Sequence, residues 1–412
     1  MERWKGGKPE RRRFPVPFFR FCSSILPFFQ PSKVPRFRLC CIMTIDIIDP
    51  IAYPGWDQQV LRLSGCSFFH SSAWARVLSE SYGFRPLYFT IFDSGLLSAC
   101  LPVMEIDSFL TGRRGVSLPF TDYCEPLVSA DGQFEELLRE ATAYGANKGW
   151  KSLELRGGGS FLGCNPSSST YLLHTLDLSS GRAHSANPQL NLSSQPSNFP
   201  SFQSSGSAPP FSTFRESTRR NIRKASENGV RVEISTTEQS VRQFYKLNQM
   251  TRKDHGLPPQ PYRFFEEIHE HVISKGCGFV VVAFQEKTPI AASVYFHFGR
   301  FAIYKYGASD KRYRHLRPNN LVMWEAIRWY IENGYASLSL GRTDLGHEGL
   351  RQFKNGWGVM EQTLSYYRYT FKTGAFVRND NEKINGIGSR VASLAPLPVL
   401  RAVGSLLYRH MG

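Results

Sequence analysis

The chain has 412 residues, 41% of them apolar, and a formal net charge of +16. This length fits two or three domains, and the apolar content is enough for a buried core, which excludes a wholly disordered or fibrous protein. The eight cysteines form no CxxC pair and no long uninterrupted apolar run occurs. We therefore predict reduced thiols in a cytoplasmic protein, no disulfide framework, no metal site and no transmembrane helix.

The first 42 residues stand apart in charge. They contain ten Lys or Arg against two Glu, and so carry half of the net charge. They show no helical or strand period, whereas an apolar run begins directly after Met43. We predict that residues 1–42 are a basic N-terminal extension outside the core and that Met43 is the true start. A basic targeting or membrane-touching arm is the alternative.

A first domain is predicted over residues 43–178. Its hairpin is indicated by two β-rich runs on either side of Asp93-Ser94-Gly95, and one helix by Ser71 or Ser72 as a cap and Gly83 as a stop. The predicted elements, in chain order, are a strand at 45–48, helices at 56–63 and 72–82, strands at 86–92 and 96–106, a helix at 134–148, and strands at 152–155 and 171–178.

Residues 179–211 are rich in Ser, Pro, Asn and Gln, which predicts a flexible linker. A second domain follows at 212–373, and we predict a helical tail at 374–412. The predicted elements of the second domain are helices at 215–228, 237–251, 262–274, 321–333 and 348–355 and strands at 230–235, 279–285, 289–298, 301–308, 337–340 and 363–371. Both halves follow one order of elements, so the fold class is α/β with a mixed sheet and two similar domains.

The segment 304–358 is the most specific part of the sequence. Strand ends at Tyr306-Gly307 and Leu340-Gly341 precede the pattern Gly349-Leu350, Phe353-Lys354 and Trp357-Gly358. This segment resembles the core of the Fem-type (FemAB-like) aminoacyl and acyl transferases of the GNAT superfamily, including GNAT-like acetyltransferases of bacterial cell-envelope and exopolysaccharide loci. The segment 118–127 resembles the family's first-domain substrate segment. The resemblance implies two tandem GNAT-like domains and an acyl-transfer activity.

The carrier of the acyl group is expected at the start of the helix that Pro318 opens. Three arginines precede this helix, and a helix N-terminus offers free N–H groups and partial positive charge to phosphate. A solvated basic turn is the alternative. Ordinary GNAT acetyltransferases have a glycine-rich turn here and this chain has none, which leaves room for aminoacyl-tRNA instead of coenzyme A. The predicted carrier-binding residues are Tyr306, Arg312, Arg314, Arg317, Asn319 and Asn320.

Three residues are candidates for the chemistry. The resemblance implies that Lys354 faces the transfer centre, where its charge could stabilise an oxyanion; a surface lysine is the alternative. Asp344 and His347 follow a strand end, and either could accept the proton of the attacking group, although His347 could instead cap the next helix. The predicted acceptor-binding residues are Asp122, Tyr123, Glu125, Arg342 and Phe353, with an ordinary loop as the alternative for 122–125.

The sequence therefore predicts an acyltransferase that moves an acyl or aminoacyl group from acyl-CoA to an amine or hydroxyl of a cell-envelope or exopolysaccharide precursor. No permanently bound cofactor is expected, and contact with the inner membrane surface is a further option. One alternative is an aminoacyl-tRNA-dependent peptidoglycan-bridge transferase, which the lack of a heptad run disfavours. Another is a non-catalytic nucleic-acid-binding or scaffold protein, in which the basic helix at 215–228 would contact nucleic acid.

Overall fold

The computed structural model describes residues 44–179, 211–378 and 395–411. All of them belong to one compact unit that begins at Met43. The predicted extension at 1–42 and the predicted linker, apart from its two end residues, lie outside the described residues. Within the described residues, no helix combines the length and apolarity that crossing a bilayer requires.

The first half contains seven strands and four helices among its described residues. The strands are β1 (Ile45–Ile48), β2 (Arg85–Asp93), β3 (Leu96–Ile106), β4 (Arg114–Val116), β5 (Leu127–Val128), β6 (Ser152–Arg156) and β7 (Ser169–Asp177). The helices are α1 (Trp56–Val60), α2 (Ser72–Tyr82), α3 (Gln133–Asn147) and α4 (Gly159–Leu162).

The second half has the same general plan. Its strands are β8 (Val230–Ser235), β9 (Gly278–Gln285), β10 (Thr288–Phe298), β11 (Phe301–Ser309), β12 (Ser337–Asp344), β13 (Met360–Thr370) and β14 (Ala375–Val377). Its helices are α5 (Glu216–Glu227), α6 (Glu238–Asp254), α7 (Tyr262–Ile268), α8 (Pro318–Glu332), α9 (Glu348–Asn355) and α10 (Leu397–Leu407).

All described strands join one mixed sheet, which confirms the predicted fold class. The order is β1-β2-β3-β4-β6-β13-β7-β12-β11-β10-β9-β8, with β5 added to β3 and β14 added to β13. The two halves interleave, because β13 of the second half lies between β6 and β7 of the first. The pairs His174↔Glu361 on β7–β13 and Arg342↔Leu173 on β12–β7 bring residues distant in sequence together.

Several local signals act as the sequence predicts. Ser71 caps α2 by accepting a hydrogen bond from the backbone N–H of Trp74, and Gly83 ends the helix in the left-handed conformation. In the hairpin between β2 and β3, Ser94 and Gly95 both have positive φ, as a two-residue type I′ turn requires.

Other elements differ from the prediction. The strand β4 was not predicted, because Arg114-Gly115-Val116 offers only one large apolar residue. The helix predicted at 262–274 is α-helical only as far as Ile268. The next residues, His269–Ile273, form a π-helical turn. In the predicted helical tail, Ala375–Val377 form a strand because they extend the sheet along β13, while α10 is helical as expected.

The helices cover both faces of the sheet. On one face, α2, α6 and α7 bury large aromatic side chains such as Trp74, Phe244 and Phe264 against the sheet. On the other face, α8 packs on β8–β11, α5 packs on α8 and β8, and α3 packs on β2, β3 and β6. These layers fix the positions of the strand ends at which the candidate site lies.

Candidate functional site

The strands β11 and β12 are parallel but pair only at their beginnings. The register runs from Phe301↔Ser337 to Ile303↔Ser339, although β11 continues to Ser309 and β12 to Asp344. On its other edge, β12 stays paired with β7 along its whole length, from Ser337↔Asp177 to Asp344↔Tyr171. The two strands therefore separate towards their carboxyl ends and leave an opening in the sheet, which we call the cleft.

Asp122 from the first half spans the cleft. Its carboxylate accepts a hydrogen bond of 3.0 Å from Nζ of Lys305 on β11. It also lies 3.3 Å from the position that a Cβ atom would take at Gly341 on β12, where φ is +71°. The Lys305 side chain is almost fully buried, and burial lowers its pKa although the Asp122 charge acts in the opposite direction. Only a small residue at 341 leaves room for this carboxylate.

The residues that follow Asp122 point to different places. The side chain of Tyr123 lies near Ser339 at the closed end of the cleft, and burial raises its pKa. The carboxylate of Glu125 instead accepts the backbone N–H of Gly158 at 2.5 Å, which ties together two loops of the first half. The structure therefore brings Asp122 and Tyr123 to the cleft and turns the Glu125 side chain towards Gly158.

Lys354 is buried beside β12. Its Nζ donates hydrogen bonds to the backbone oxygens of Gly341 at 3.0 Å and Arg342 at 2.8 Å. An ammonium group has three donors, and the third has no acceptor among the described residues. Burial lowers the pKa of Lys354 to about 8, while the charges of Asp122 and Asp344 oppose this shift. The amine is therefore largely protonated at neutral pH. It lies against β12, beside the cleft.

Arg342 lies between aromatic rings next to Lys354. Its guanidinium is 4.2 Å from the ring centroid of Tyr171 and 5.2 Å from that of Tyr366. The hydroxyl of Tyr366 donates to the backbone oxygen of Asp122. These contacts hold a second cation near the carboxylate that spans the cleft. Tyr171 and Tyr366 were not predicted, because they lie on strands of both halves and have no local motif.

The remaining predicted residues near α9 have structural contacts. His347 caps α9, since its Nδ1 accepts the backbone N–H of Leu350 at 3.2 Å, which was the alternative interpretation. Asp344 is exposed at the end of β12, and its backbone oxygen accepts a hydrogen bond from the backbone N–H of His347. Phe353 packs on the ring of Trp357. A catalytic or substrate-binding role for these residues stays a prediction.

His174 is a buried polar residue behind Lys354 that the sequence did not indicate. It is fully buried, and its Nδ1 lies 3.8 Å from Oε2 of Glu361. Burial and the charge of Lys354 lower its pKa, so the ring is neutral at pH 7. Glu361 is held as a carboxylate by Arg351, and this hydrogen bond lowers its pKa to about 2. No sequence signal links β7 to α9, because only the sheet order brings them together.

The predicted carrier site follows the carboxyl end of β11, at the same end of the sheet as the cleft. Arg312 is engaged locally, because its Nε lies 3.0 Å from a carboxylate oxygen of Asp310. Arg314, Arg317 and Asn319 are exposed, and Arg317 adopts φ +60° at the start of α8, a conformation that normally favours glycine. Arg317 therefore has the left-handed backbone conformation that a glycine would adopt more easily at this position.

The other members of the predicted carrier set are buried. The side chain of Asn320 is buried in the first turn of α8. The ring of Tyr306 packs against Phe244 and Phe265, under α6 and α7. Tyr306 therefore contacts the core, and the exposed carrier-binding candidates are Arg314, Arg317 and Asn319, together with Arg312, which is paired with Asp310.

A further histidine joins these loops. His255 follows the end of α6, and its pKa is lowered by burial and then by its neighbours Arg252, His347 and Arg314. The turn before α8 and the loop before α9 are therefore near enough to share one electrostatic environment. A concentration of cations at a strand-end edge suits an anionic ligand.

Comparisons with a protein family and with solved structures agree with the observed fold. Residues 212–355 match the sequence profile of the acetyltransferase (GNAT) domain family. No curated protein sequence matches the chain. Among solved structures, FemX is similar with a TM-score of 0.59 and 12% identity, over 80% of this chain and 98% of FemX. This likeness confirms the predicted Fem-like fold, and the domain match confirms an acyltransferase of the GNAT type.

Two other solved structures are similar at lower scores. The C-terminal domain (DUF2156) of a putative lysylphosphatidylglycerol synthetase from Agrobacterium fabrum has a TM-score of 0.48 and 12% identity, over 75% of this chain and 90% of that one. A tandem GNAT protein from the clavulanic acid biosynthesis pathway has a TM-score of 0.47 and 8% identity, over 80% of this chain and 98% of that one.

Proposed function

We propose that this GNAT-type acyltransferase moves an acyl or aminoacyl group from acyl-CoA to an amine or hydroxyl of a cell-envelope or exopolysaccharide precursor in the cleft. One observation carries the proposal: Lys354 presents a buried cation with a free donor where two parallel strands separate. A donor in such a water-poor place stabilises developing negative charge more strongly than it would in water.

The reaction needs few protein groups. The acceptor nitrogen or oxygen attacks the thioester carbonyl, and the carbonyl oxygen becomes an oxyanion that accepts the third N–H of Lys354. Collapse of the adduct breaks the carbon–sulfur bond and releases the coenzyme A thiolate, which takes up a proton. The proton of the acceptor passes to the carboxylate of Asp344, the last residue of β12, or to Nδ1 of His347 once that atom has released the backbone N–H of Leu350.

The carrier and acceptor enter from different sides in this proposal. The pyrophosphate of coenzyme A binds at the start of α8, with Arg314, Arg317 and Asn319 as its exposed polar partners. The acceptor lies along Asp122 and Arg342. Their opposite charges allow both a cationic amine and an anionic sugar phosphate to be recognised. We also propose a cytoplasmic location, which the free thiols of all five described cysteines support.

Aminoacyl-tRNA is the second candidate carrier. The turn before α8 has Arg317 where a glycine would allow the backbone to approach a pyrophosphate, and α5 exposes several basic side chains. Transfer of radiolabel from acetyl-CoA and from charged tRNA to an amine acceptor distinguishes the two carriers. Tight binding of bare nucleic acid without transfer from either donor would contradict the proposal and favour a scaffold.

A further inference from the structure

Exposed apolar side chains concentrate in two segments that are distant in sequence. One is the loop after β3, in which Phe109 is 81% exposed and Leu110 is also exposed. The other is α10 and the turn after it, in which Leu406 is 59% exposed. We call the surface formed by these segments the apolar platform; its members are Phe109, Leu110, Val399, Val403, Leu406 and Met411.

Hydrogen bonds and ring contacts join the two segments. Nη2 of Arg114 donates to the backbone oxygen of His410 at 2.9 Å, and Nδ1 of His410 lies 3.0 Å from Oγ of Ser108. The rings of Phe109 and His410 meet edge to face at 4.5 Å. The platform is therefore one continuous surface rather than two separate patches.

The opposite face of α10 is fixed to the body of the protein. Gly404 approaches the backbone oxygen of Pro259 so closely that an added Cβ would lie 2.1 Å from it. The hydroxyl of Tyr408 donates to the backbone oxygen of Pro258 and accepts a hydrogen bond of 2.7 Å from Arg252. Val399, Val403 and Leu406 follow one another at helical spacing, so this anchoring directs them outwards together.

The charge around the platform is positive. Residues 107–114 and 395–411 contain four arginines and one acidic residue, Asp107, which is paired with Arg113. Arg409 is exposed in the turn after α10, whereas Arg401 is exposed on the side of α10 away from Val399 and Leu406. A second copy of the chain in a symmetric contact would bring these like charges together, which disfavours a dimer. Apolar side chains bordered by arginines match the acyl and headgroup layers of an anionic membrane.

We propose that the apolar platform docks the protein onto an anionic lipid surface, with Phe109 and Leu406 entering the interface and Arg409 meeting the headgroups. The segment that leads to Asp122 touches the anchored side of this surface, because the ring of Tyr408 contacts Phe120, two residues before Asp122. Docking would therefore hold the acceptor side of the cleft near the lipid surface. The proposal concerns binding to lipid and stands apart from the transfer reaction.

Vesicle sedimentation of the full chain tests this assignment. Vesicles of phosphatidylcholine alone are compared with vesicles that also contain phosphatidylglycerol. We expect binding to the anionic vesicles only, a loss of about fivefold in Arg409→Gln, and a loss of at least about tenfold in Phe109→Ser/Leu406→Ser. Leu61→Ser/Arg62→Gln is the matched control, because both residues are exposed outside the platform; it should bind as the wild type does.

Other outcomes would overturn the assignment. If the wild-type chain binds neither vesicle, or if the platform variants bind as tightly as the control, the platform is not the docking surface. In the second case the basic residues 1–42 would account for binding. A wild-type dimer in light scattering that dissociates in Phe109→Ser/Leu406→Ser, without vesicle binding, would assign the platform to self-association. Circular dichroism checks that each variant is folded.

Discussion

The described part of the chain contains two parallel strand pairs, β4 with β6 in the first half and β11 with β12 in the second. In the first half the chain closes the junction with its own backbone. Ser117 N–H donates to the Glu154 oxygen and Cys124 N–H to the Arg156 oxygen, both at 2.7 Å. In the second half the ladder ends at Ile303 and Ser339. Charged side chains occupy the opening there.

The comparison separates a structural junction from a chemical one. Arg156 at the first junction is paired with Glu154 and donates to the backbone oxygens of Leu118 and Thr121, so its hydrogen bonds hold the loop that carries Asp122. Lys354 at the second junction retains a donor without a partner among the described residues. The first half thus positions a segment, and the second half offers groups that can react with a substrate.

The largest effect is expected at Lys354. Replacing it in Lys354→Met keeps the aliphatic stem but removes the cation and its donors. We expect kcat to fall by about 10²–10³, the loss typical of removing one oxyanion donor, in a variant that still folds. Steady-state kinetics and circular dichroism measure both quantities. Lys372→Met, at an exposed lysine of the same half, is the control; a wild-type kcat in Lys354→Met would remove its assigned role.

The next largest effect is expected at the first junction, as a loss in the free energy of unfolding. Arg156→Met leaves the buried Glu154 with only Arg368 as its partner. Breaking a buried ion pair typically costs 3–5 kcal/mol, and we expect about 3 kcal/mol here because Arg368 remains. Urea unfolding measures this loss. We then measure kcat of Arg156→Met under conditions in which it is folded. A fall as large as that in Lys354→Met would contradict the comparison, because both junctions would then have the same role.

A smaller effect is expected at Gly341. Its φ is positive, so Gly341→Ala should lower the free energy of unfolding by about 1–2 kcal/mol. Gly83→Ala has a similar φ and open space around its Cβ, so it should lose similar stability. Only Gly341→Ala brings a methyl group to the Asp122 carboxylate, and only it should reduce transfer. Equal transfer rates in the two variants would show that the cleft tolerates this methyl group.

The smallest effect near neutral pH comes from the titration of Lys354. With its pKa lowered to about 8, kcat should be halved near pH 8 and fall about tenfold per pH unit above it if the ammonium is the active form. The lower pKa in the folded state also means that this group adds stability as the pH rises from about 8 towards its unfolded value. Lys354→Arg should move the alkaline fall in kcat to higher pH. An unchanged profile in that variant assigns the titration to another group.

The sequence predicts most local elements because their signals are local. Continuous apolar runs indicate β9 and β10, and the cap Ser71 and the stop Gly83 delimit α2. Lys354 was predicted from the family resemblance that the compact Phe353-Lys354 pattern carries, and its role stays a prediction. The position of Arg317 before α8 follows from Pro318 alone.

The rest of the site depends on contacts between distant segments. Asp122 meets Lys305 only because the first half donates a loop to the second, and no spacing in the sequence encodes this pairing. His174 reaches Lys354 because β7 lies between β12 and β13. The sequence also could not show that Asp310 engages Arg312, since adjacent charges are as often solvated as paired.

A structure of the complex with a ketone analogue of acetyl-CoA, in which carbon replaces the thioester sulfur, tests the central claim most directly. If charged tRNA is the donor that supports turnover, the corresponding non-hydrolysable aminoacyl-tRNA takes its place. We predict that the carbonyl oxygen lies within hydrogen-bond distance of Nζ of Lys354, between the separated ends of β11 and β12. A carbonyl bound at the first junction, beside Arg156, or anywhere outside the cleft would contradict the account.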